Sequence, residues 1–349
     1  MGYEVSYSAY LDDGVGIFDN EDRLLLKTKF PCKHRFFIKA FQKDYLVGIA
    51  KRFLKNKRFD FCLLRINYVS KAYFDMLKLM KANGAFVMME SLSYYPNIDV
   101  RKINKASYRL ISKSLQRHKN DLKDVVDLML TEGVIDDFYG VPCVEFGMGI
   151  DVELYNEHKY QGDPEELNLL MVGCDSIYHG TDRLLKSAGV SSRKGIKFKI
   201  HLVGDLLPKD KKLIKKLGLG SSVICYGRKT GKELDSIFDK CNIALGPLAQ
   251  HRIGKKDTGL KTKEYFARGI PYIYTGHEIN IPEDFQYIKK IDDSEELIDL
   301  DCIHSFYKSL AGLPVVSEMR KMARSAFSWQ GIFIKAFEQA STILSNKEA

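Results

Sequence analysis

Between residues 168 and 274 the chain alternates short apolar runs with amphipathic stretches, and that alternation leaves few folds open. Residues 168–173 read as a strand, 181–187 as a helix, and 198–204 as a strand with Phe198, Ile200 and Leu202 on one face. Pro208 sits in the first turn of a helix that runs to Leu217, where its missing N–H is no loss. Residues 223–227 form a strand, Leu234, Ile237, Phe238 and Cys241 make a helical stripe, and 243–246 form another strand. Strands alternating with helices predict an α/β fold built on a doubly wound parallel sheet.

The run 259–275, GLKTKEYFARGIPYIYT, carries the most chemistry. A glycine opens a charged helix, Gly269 and Pro271 stop it, and 270–274 has the β-branched and aromatic content of a buried strand. Unpaired N–H groups at a helix N-terminus attract phosphate, and Lys255, Lys256, Lys261 and Lys263 crowd the same turn. Glu264 stands among these cations, where an ionised carboxylate accepts hydrogen bonds from two adjacent hydroxyls such as those of a ribose. Phosphate and ribose together indicate a nucleotide.

The first half is also α/β in pattern. Residues 2–10 alternate as a strand, 12–14 signal a turn, and short extended pieces continue to about residue 30. From 33 to 58 there are nine Lys or Arg against one acid, Asp44, interleaved with apolar residues at helical spacing. This is either an amphipathic helix with a solvated basic face or a surface that meets anionic headgroups. Residues 60–66, 71–82 and 85–89 read strand, helix, strand, a parallel crossover that leaves Arg65 and Glu90 at strand carboxyl ends, where ligands bind in open α/β sheets. The two residues could equally pair with each other across neighbouring strands. A helix over 104–122 and a strand over 125–131 follow, and the polar stretch 156–166, with Gly162 and Pro164, reads as a linker between domains.

At 349 residues there is room for two domains, each with its own core. No apolar run approaches the roughly 20 residues that span a bilayer, and the first residues have neither a basic nor an apolar signal region. Seven scattered cysteines without a C-x-x-C pair argue against a disulfide framework or zinc site and for a reducing cytosol. The net charge of +9 suits nucleotide phosphates or an anionic membrane face. Nucleic acid is disfavoured, because no recognised binding motif accompanies the charge, and no G-x-G-x-x-G follows a strand, which disfavours an NAD-dependent oxidoreductase.

These residues resemble a known family. L-K-T-K-E-Y-F-A-R-G-I-P-Y-I is similar to the donor-site signature of retaining GT-B glycosyltransferases of the group 1, or family 4, type. The resemblance places Glu264 on the second glutamate of the family's Glu-x7-Glu pair, used on the nucleotide ribose, and Lys256 on the first. Gly259 and Leu260 match the backbone that cradles the diphosphate. MVGCDSIYHGTDRLL is similar to the first donor-domain loop, with Gly173 and Gly180 retained, Cys174 where an Arg is usual and His179 where a Lys is usual. Both replaced cations normally neutralise the diphosphate, so the resemblance shifts that role to Arg252, Lys255, Lys256 and Lys261. Tyr226-Gly227-Arg228 resembles the turn that receives the base, and FDFCLLRI with ANGAFVMMESLSYYP resembles an acceptor-side domain of the surface-polysaccharide type. YGVPCVEFGMGIDV resembles the end of that first domain, and F-S-W-x-x-I, inside a long helical pattern over 317–344, is a frequent ending. Asp299-Leu300-Asp301 mimics a metal motif of another transferase fold and reads here as surface.

The resemblance implies a GT-B fold, two Rossmann-like doubly wound domains facing across a cleft. Residues 1–155 would be the acceptor side, 156–166 the linker, 167–325 the donor-binding domain and 326–349 a C-terminal helix crossing back. It implies transfer of a sugar from a nucleotide diphosphate donor, its only co-substrate, to a glycan or lipid-linked acceptor, with retention and without a bound metal or other cofactor. The catalytic residues would be Glu90, Arg65 and Lys261, and the enzyme would be cytoplasmic, with contact at the inner membrane face. The alternative is a non-catalytic nucleotide-binding or scaffold protein of the same fold, suggested by Lys256 and Cys174. Families of this fold open with a central strand, a glycine-rich loop and a helix before a strand reading G-x-E-V, so Met1-Gly2-Tyr3-Glu4-Val5 gives the expectation that the first β-α unit is missing.

Overall fold

The computed structural model describes residues 4–32, 34–55, 57–66, 68–91, 106–131, 135, 137–163, 165–253, 258–278 and 280–348. Lys255, Lys256, Pro164 and the SYYP end of the second acceptor-side motif lie outside them. The chain divides into two units, Met1–Phe146 with Lys335–Ala349, and Gly147–Ile334.

The first unit opens with an antiparallel meander, β1 (Ser6–Leu11), β2 (Gly14–Asp19) and β3 (Leu24–Lys29), which forms a sheet of its own. Helix α1 (Arg35–Leu54) follows. The basic pattern suggested one apolar face and one wet face, yet α1 is packed on two sides. Ile49 joins Val15 and Ile17 of the meander, while Val47 and Leu54 join the core under the next sheet. That sheet contains β4 (Phe61–Arg65), β5 (Phe86–Ser91), β6 (Leu128–Thr131) and β8 (Val141–Glu145) in parallel, with the two-residue β7 (Asp137–Phe138) antiparallel at its edge. Helices α2 (Lys71–Ala82) and α3 (Ala106–Arg117) connect the first three strands. The hydroxyl of Ser70 caps α2 by accepting from Tyr73 N–H.

The second unit is a six-stranded parallel sheet: β9 (Leu167–Val172), β10 (Phe198–Val203), β11 (Val223–Gly227), β12 (Ile243–Leu245), β13 (Tyr272–Tyr274) and β14 (Ile288–Lys290). The spatial order β11-β10-β9-β12-β13-β14 reverses between β9 and β12, so a switch point lies at the carboxyl end of β9. Alternate residues serve opposite faces. Leu169, Met171, Ile200, Leu202, Ile243 and Leu245 face α4 (Thr181–Arg193) and α8 (Leu300–Ser309), whereas Leu170, Ala244, Tyr272 and Tyr274 face α6 (Gly231–Phe238), α7 (Leu260–Arg268) and α9 (Val315–Ala326). Each such Leu or Met, fully buried, contributes about 1.5–3 kcal/mol. Helix α5 (Pro208–Lys216) begins at its proline, as the sequence predicts.

Two expectations change. The long C-terminal helical pattern is two helices, α9 and α10 (Trp329–Glu348), because Phe327 and Ser328 leave the helix to meet Ile150: Ile150 N–H donates to Phe327 C=O at 2.8 Å, and the Ser328 hydroxyl caps the next turn at Gly331 N–H. Residues 156–161, part of the stretch 156–166 read as a linker, are hydrogen-bonded along the second unit. His158 N–H donates to Arg268 C=O at 2.7 Å, its ring meets Cys241 C=O at 2.8 Å, and Gln161 N–H donates to Asp239 C=O at 2.8 Å. Among the described residues no helix is long and apolar enough to cross a membrane.

Gly180 joins the β9 loop to α4 with φ +70°, and a Cβ there would stand 2.8 Å from Leu248 Cβ and 3.0 Å from the Leu248 carbonyl carbon. Gly180→Ala is therefore expected to cost at least about 2 kcal/mol through left-handed strain and displaced backbone. The check is a lower urea midpoint with an unchanged slope.

Candidate functional site

The site is built at the switch point. Val172 ends the central strand and Gly173 turns the chain with φ +76°, its N–H donating to Val203 C=O at 2.7 Å. A 3-10 turn, Ile177–His179, then leads through Gly180 into α4, which has no side-chain cap. The loop after β12 lies against this turn: Leu248 N–H donates to His179 C=O and Ala249 N–H to Tyr178 C=O. Gly259, with φ +81°, starts α7, also without a side-chain cap, and leaves Leu260 exposed at its first position. The first amides of such helices have no intrahelical partner and carry the positive end of the helix dipole.

Lys261 reaches from α7 to the Gly173 turn, its Nζ 3.4 Å from Gly173 C=O. A Cβ on Gly173 would come within 3.2 Å of that Nζ and 3.4 Å of His179 Cε1, a tight fit that the lysine end can relieve, so it is the left-handed φ that favours glycine at this turn. His179 is 5% exposed, and among the described residues neither ring nitrogen has a hydrogen-bond partner. Burial, and then the Lys261 charge, hold its pKa down to about 3, so the imidazole is neutral at pH 7. Burial likewise brings Lys261 down to about 8. A buried neutral donor, a desolvated ammonium and two uncapped helix starts thus converge on one small region, an arrangement that suits a phosphate-bearing ligand.

Other predicted cations are committed elsewhere. Arg252 donates to both oxygens of Asp182, to both oxygens of Glu295 and to Ile177 C=O, all at 2.6–3.2 Å. Its guanidinium bridges three segments and does not point a free edge at a ligand. His251 beside it meets Asp293 and Glu295 through its two ring nitrogens, each at 2.9 Å. Arg228, after Gly227, pairs with Asp205 at 2.7 Å on the surface. Lys263 does not join the phosphate turn at all. It is 4% exposed and pairs with the buried carboxylate of Glu278, which also accepts from Thr258 and Tyr272 hydroxyls at 2.7 Å and from Thr262 at 3.2 Å. Cys174 points into the core, its Sγ 3.6 Å from Val203 C=O, and burial raises its pKa to about 12, so it is an uncharged packing group.

Glu264 stands in the second turn of α7, and its Oε1 accepts from Arg268 Nε at 2.9 Å. Arg268 in turn donates to Asp235 at 2.7 Å. A cavity of about 350 Å³ lies against Asn156, His158, Asp235, Phe238 and Arg268, but neither Lys261 nor His179 borders it. In the first unit, Arg65 and Glu90 are register partners at the carboxyl ends of β4 and β5, joined by a bidentate pair at 2.6 and 3.0 Å. The cross-strand pairing open from sequence is the one present, although Arg65 remains 70% exposed. Asp299, of the metal-like motif, caps α8 by accepting from Asp301 N–H at 3.0 Å, and among the described residues no His, Cys, Asp and Glu group forms a metal-binding cluster. Sequence reasoning missed Glu278, Asp182, Glu295 and Asp235. Each acts through contacts 15 to 70 residues distant, which leave no local pattern.

Residues 156–283 match the family described as Glycosyl transferases group 1. No curated protein matches the chain. Among solved structures it resembles a glycosyltransferase from Rickettsia africae ESF-5 at TM-score 0.60 and 14% identity, covering 92% of this chain and 85% of that one. It also resembles the sucrose-phosphate synthase of Thermosynechococcus elongatus at TM-score 0.56 and 13% identity, with 91% and 82% covered. HepE of Anabaena in complex with UDP gives TM-score 0.55 and 12% identity, with 87% and 84% covered. These likenesses identify the fold as GT-B-like, with two Rossmann-like α/β units.

The low pKa of Lys261 has a thermodynamic consequence. Its folded value, about 8, lies below the ordinary lysine value of 10.5, so the unfolded chain binds more protons between them and stability rises with pH in that window. Lys261→Met removes the buried charge and is expected to raise the urea midpoint at pH 7. Between pH 8 and 10.5 that gain should shrink as the native lysine loses its proton, which paired unfolding curves at pH 7 and 9.5 will show.

Proposed function

We propose that the chain is a glycosyltransferase that takes a sugar from a nucleoside diphosphate donor and transfers it to a hydroxyl of a glycan or lipid-linked acceptor in surface polysaccharide synthesis. The observation that carries this reading is the convergence of Lys261, neutral His179 and the uncapped starts of α4 and α7 over Gly173, at the switch point of a doubly wound sheet. The match of residues 156–283 to group 1 glycosyl transferases supports it, as does the similar fold of HepE, a structure holding UDP.

In this reading Lys261 and the amides of Gly259 and Leu260 hold the diphosphate, with His179 donating a neutral hydrogen bond, and Glu264 takes the ribose hydroxyls. Gly227 and the backbone around it receive the base. When the anomeric carbon–oxygen bond breaks, its electron pair goes to the diphosphate, and the fixed charge and amides stabilise that growing anion without reorganising. The acceptor hydroxyl forms the new bond and gives up its proton. We assign Arg65 and Glu90 to the acceptor side, retention to the stereochemistry, and the basic face of α1 to peripheral contact with an anionic membrane.

Glu264→Ala and Lys261→Ala are each expected to weaken nucleoside diphosphate binding by about 2–3 kcal/mol, the size of charge-assisted hydrogen bonds. Titration calorimetry with UDP, GDP, ADP and CDP measures it, and unchanged affinity across that panel would remove the donor-site assignment. Replacing Arg65 or Glu90 should lower turnover of a nucleotide sugar by more than it lowers donor affinity. Equal effects on both would place the pair in structural support.

A further inference from the structure

Glu264 is not held loosely. Arg268, one helical turn further along α7, donates Nε to Glu264 Oε1 at 2.9 Å and Nη1 to Asp235 of α6 at 2.7 Å. The Arg268 side chain is only 7% exposed, and its guanidinium carbon lies 4.2 Å from the Phe238 ring centroid and 5.4 Å from that of Tyr155. Its own backbone carbonyl accepts from His158 of the 156–161 stretch. A guanidinium fixed by two carboxylates, two rings and a docked backbone has one geometry available, so the glutamate oxygen it grips is fixed as well. The second oxygen, Oε2, has no partner among the described residues, and the Glu264 side chain retains 18% exposure.

A free carboxylate rotates about its last bond and pays side-chain entropy when it binds two hydroxyls. With Oε1 occupied, Oε2 is presented in one direction with both lone pairs open, the geometry for two vicinal hydroxyls. We propose that Arg268 is a positioning residue for Glu264, and that the pair makes the site select ribonucleoside diphosphate sugars over 2′-deoxyribonucleoside diphosphate sugars such as those of deoxythymidine. The inference rests on the donor-site reading above, and adds to it a residue and a donor class.

The test compares UDP, GDP and ADP with their 2′-deoxy counterparts by calorimetry, in the full chain and in variants. The wild type should prefer the ribonucleotide by about tenfold or more, the worth of one hydrogen bond to a charged group. Arg268→Met should weaken the ribonucleotide by about tenfold and the deoxy form by much less, bringing the preference towards unity, and Arg268→Lys should restore part of it. A purely structural loss would weaken both probes alike. If Arg268→Met does not fold, Asp235→Asn loosens the guanidinium from its far side and should give a smaller fall in preference. A preference that survives these changes, or a ribonucleotide affinity that rises because Arg268 was competing for Glu264, overturns the proposal. If Glu264→Ala also keeps the full preference, or the wild type has none or binds none of the three, the ribose reading of Glu264 fails first and this inference falls with it.

Discussion

The candidate site depends on one buried carboxylate. Glu278 accepts hydrogen bonds from Thr258, Thr262 and Tyr272 and pairs with Lys263, all within or beside the turn that starts α7. The Thr262 hydroxyl also lies 3.1 Å from Gly259 C=O, sharing its single proton between that carbonyl and Glu278, so the network reaches the glycine whose positive φ opens the helix. A buried ion pair of this kind is weak evidence for net stability, because desolvation offsets attraction, but removing either partner leaves an uncompensated charge at about 3–5 kcal/mol. Lys263 is further held over the ring of Phe327, 4.3 Å from its centroid, which links the turn to the end of α9. What the network secures is placement. Only with Gly259 and α7 fixed does Lys261, two residues before Lys263, reach the Gly173 carbonyl.

The charges around this turn divide by what they face. A lysine-rich helix start suggests a pool of interchangeable cations, but helical geometry sends neighbouring residues in different directions. Lys261 and Lys263 stand two residues apart and so point to opposite sides of α7: one to the sheet's carboxyl edge, the other into the core against Glu278. Arg252, read as a phosphate ligand, instead ties Asp182 in the first turn of α4 to Glu295. Arg183, also buried, donates to the carbonyls of Leu248, Asp292 and Glu296. These two arginines join the loops after β12 and β14 to α4 and so set the wall of the switch point. Structural and ligand-directed cations look alike in a sequence and differ only in which carboxylates fold back onto them.

Legibility follows the range of the interaction. The three-residue β14 was not read, but the other five strands of the second unit and the proline start of α5 were readable because periodicity and propensity act over a few residues. Gly259 was readable for the same reason, since a glycine opening a charged helix announces itself locally, while Gly173 and Gly180 were read through the family resemblance. The two-sided packing of α1 was not, because it needs the meander as a third layer, and nothing within α1 marks Ile49 for one partner and Val47 for another. The break at Phe327 was hidden because Ile150, more than 170 residues earlier, competes for its carbonyl. The partners of Arg252 and Lys263 belong to the same class. Fold is legible where local signals repeat. The site is legible only down to its glycines, because the division of its charges is a tertiary property.

One physical cause links the two groups that remain facing the turn. Desolvation lowers both His179 and Lys261, and the lysine charge lowers the histidine further. The two do not respond alike to an incoming anion. With a pKa of about 8, Lys261 is already mostly protonated at pH 7, so it needs no help to meet a diphosphate as a cation. His179 is held far below neutrality by burial and then by the Lys261 charge, so its imidazole is neutral at pH 7. Charge at this turn therefore comes from Lys261, and His179 can serve only as a neutral donor. A lysine in its place would add charge and repel Lys261. The histidine adds a hydrogen bond and leaves the neighbouring ammonium protonated.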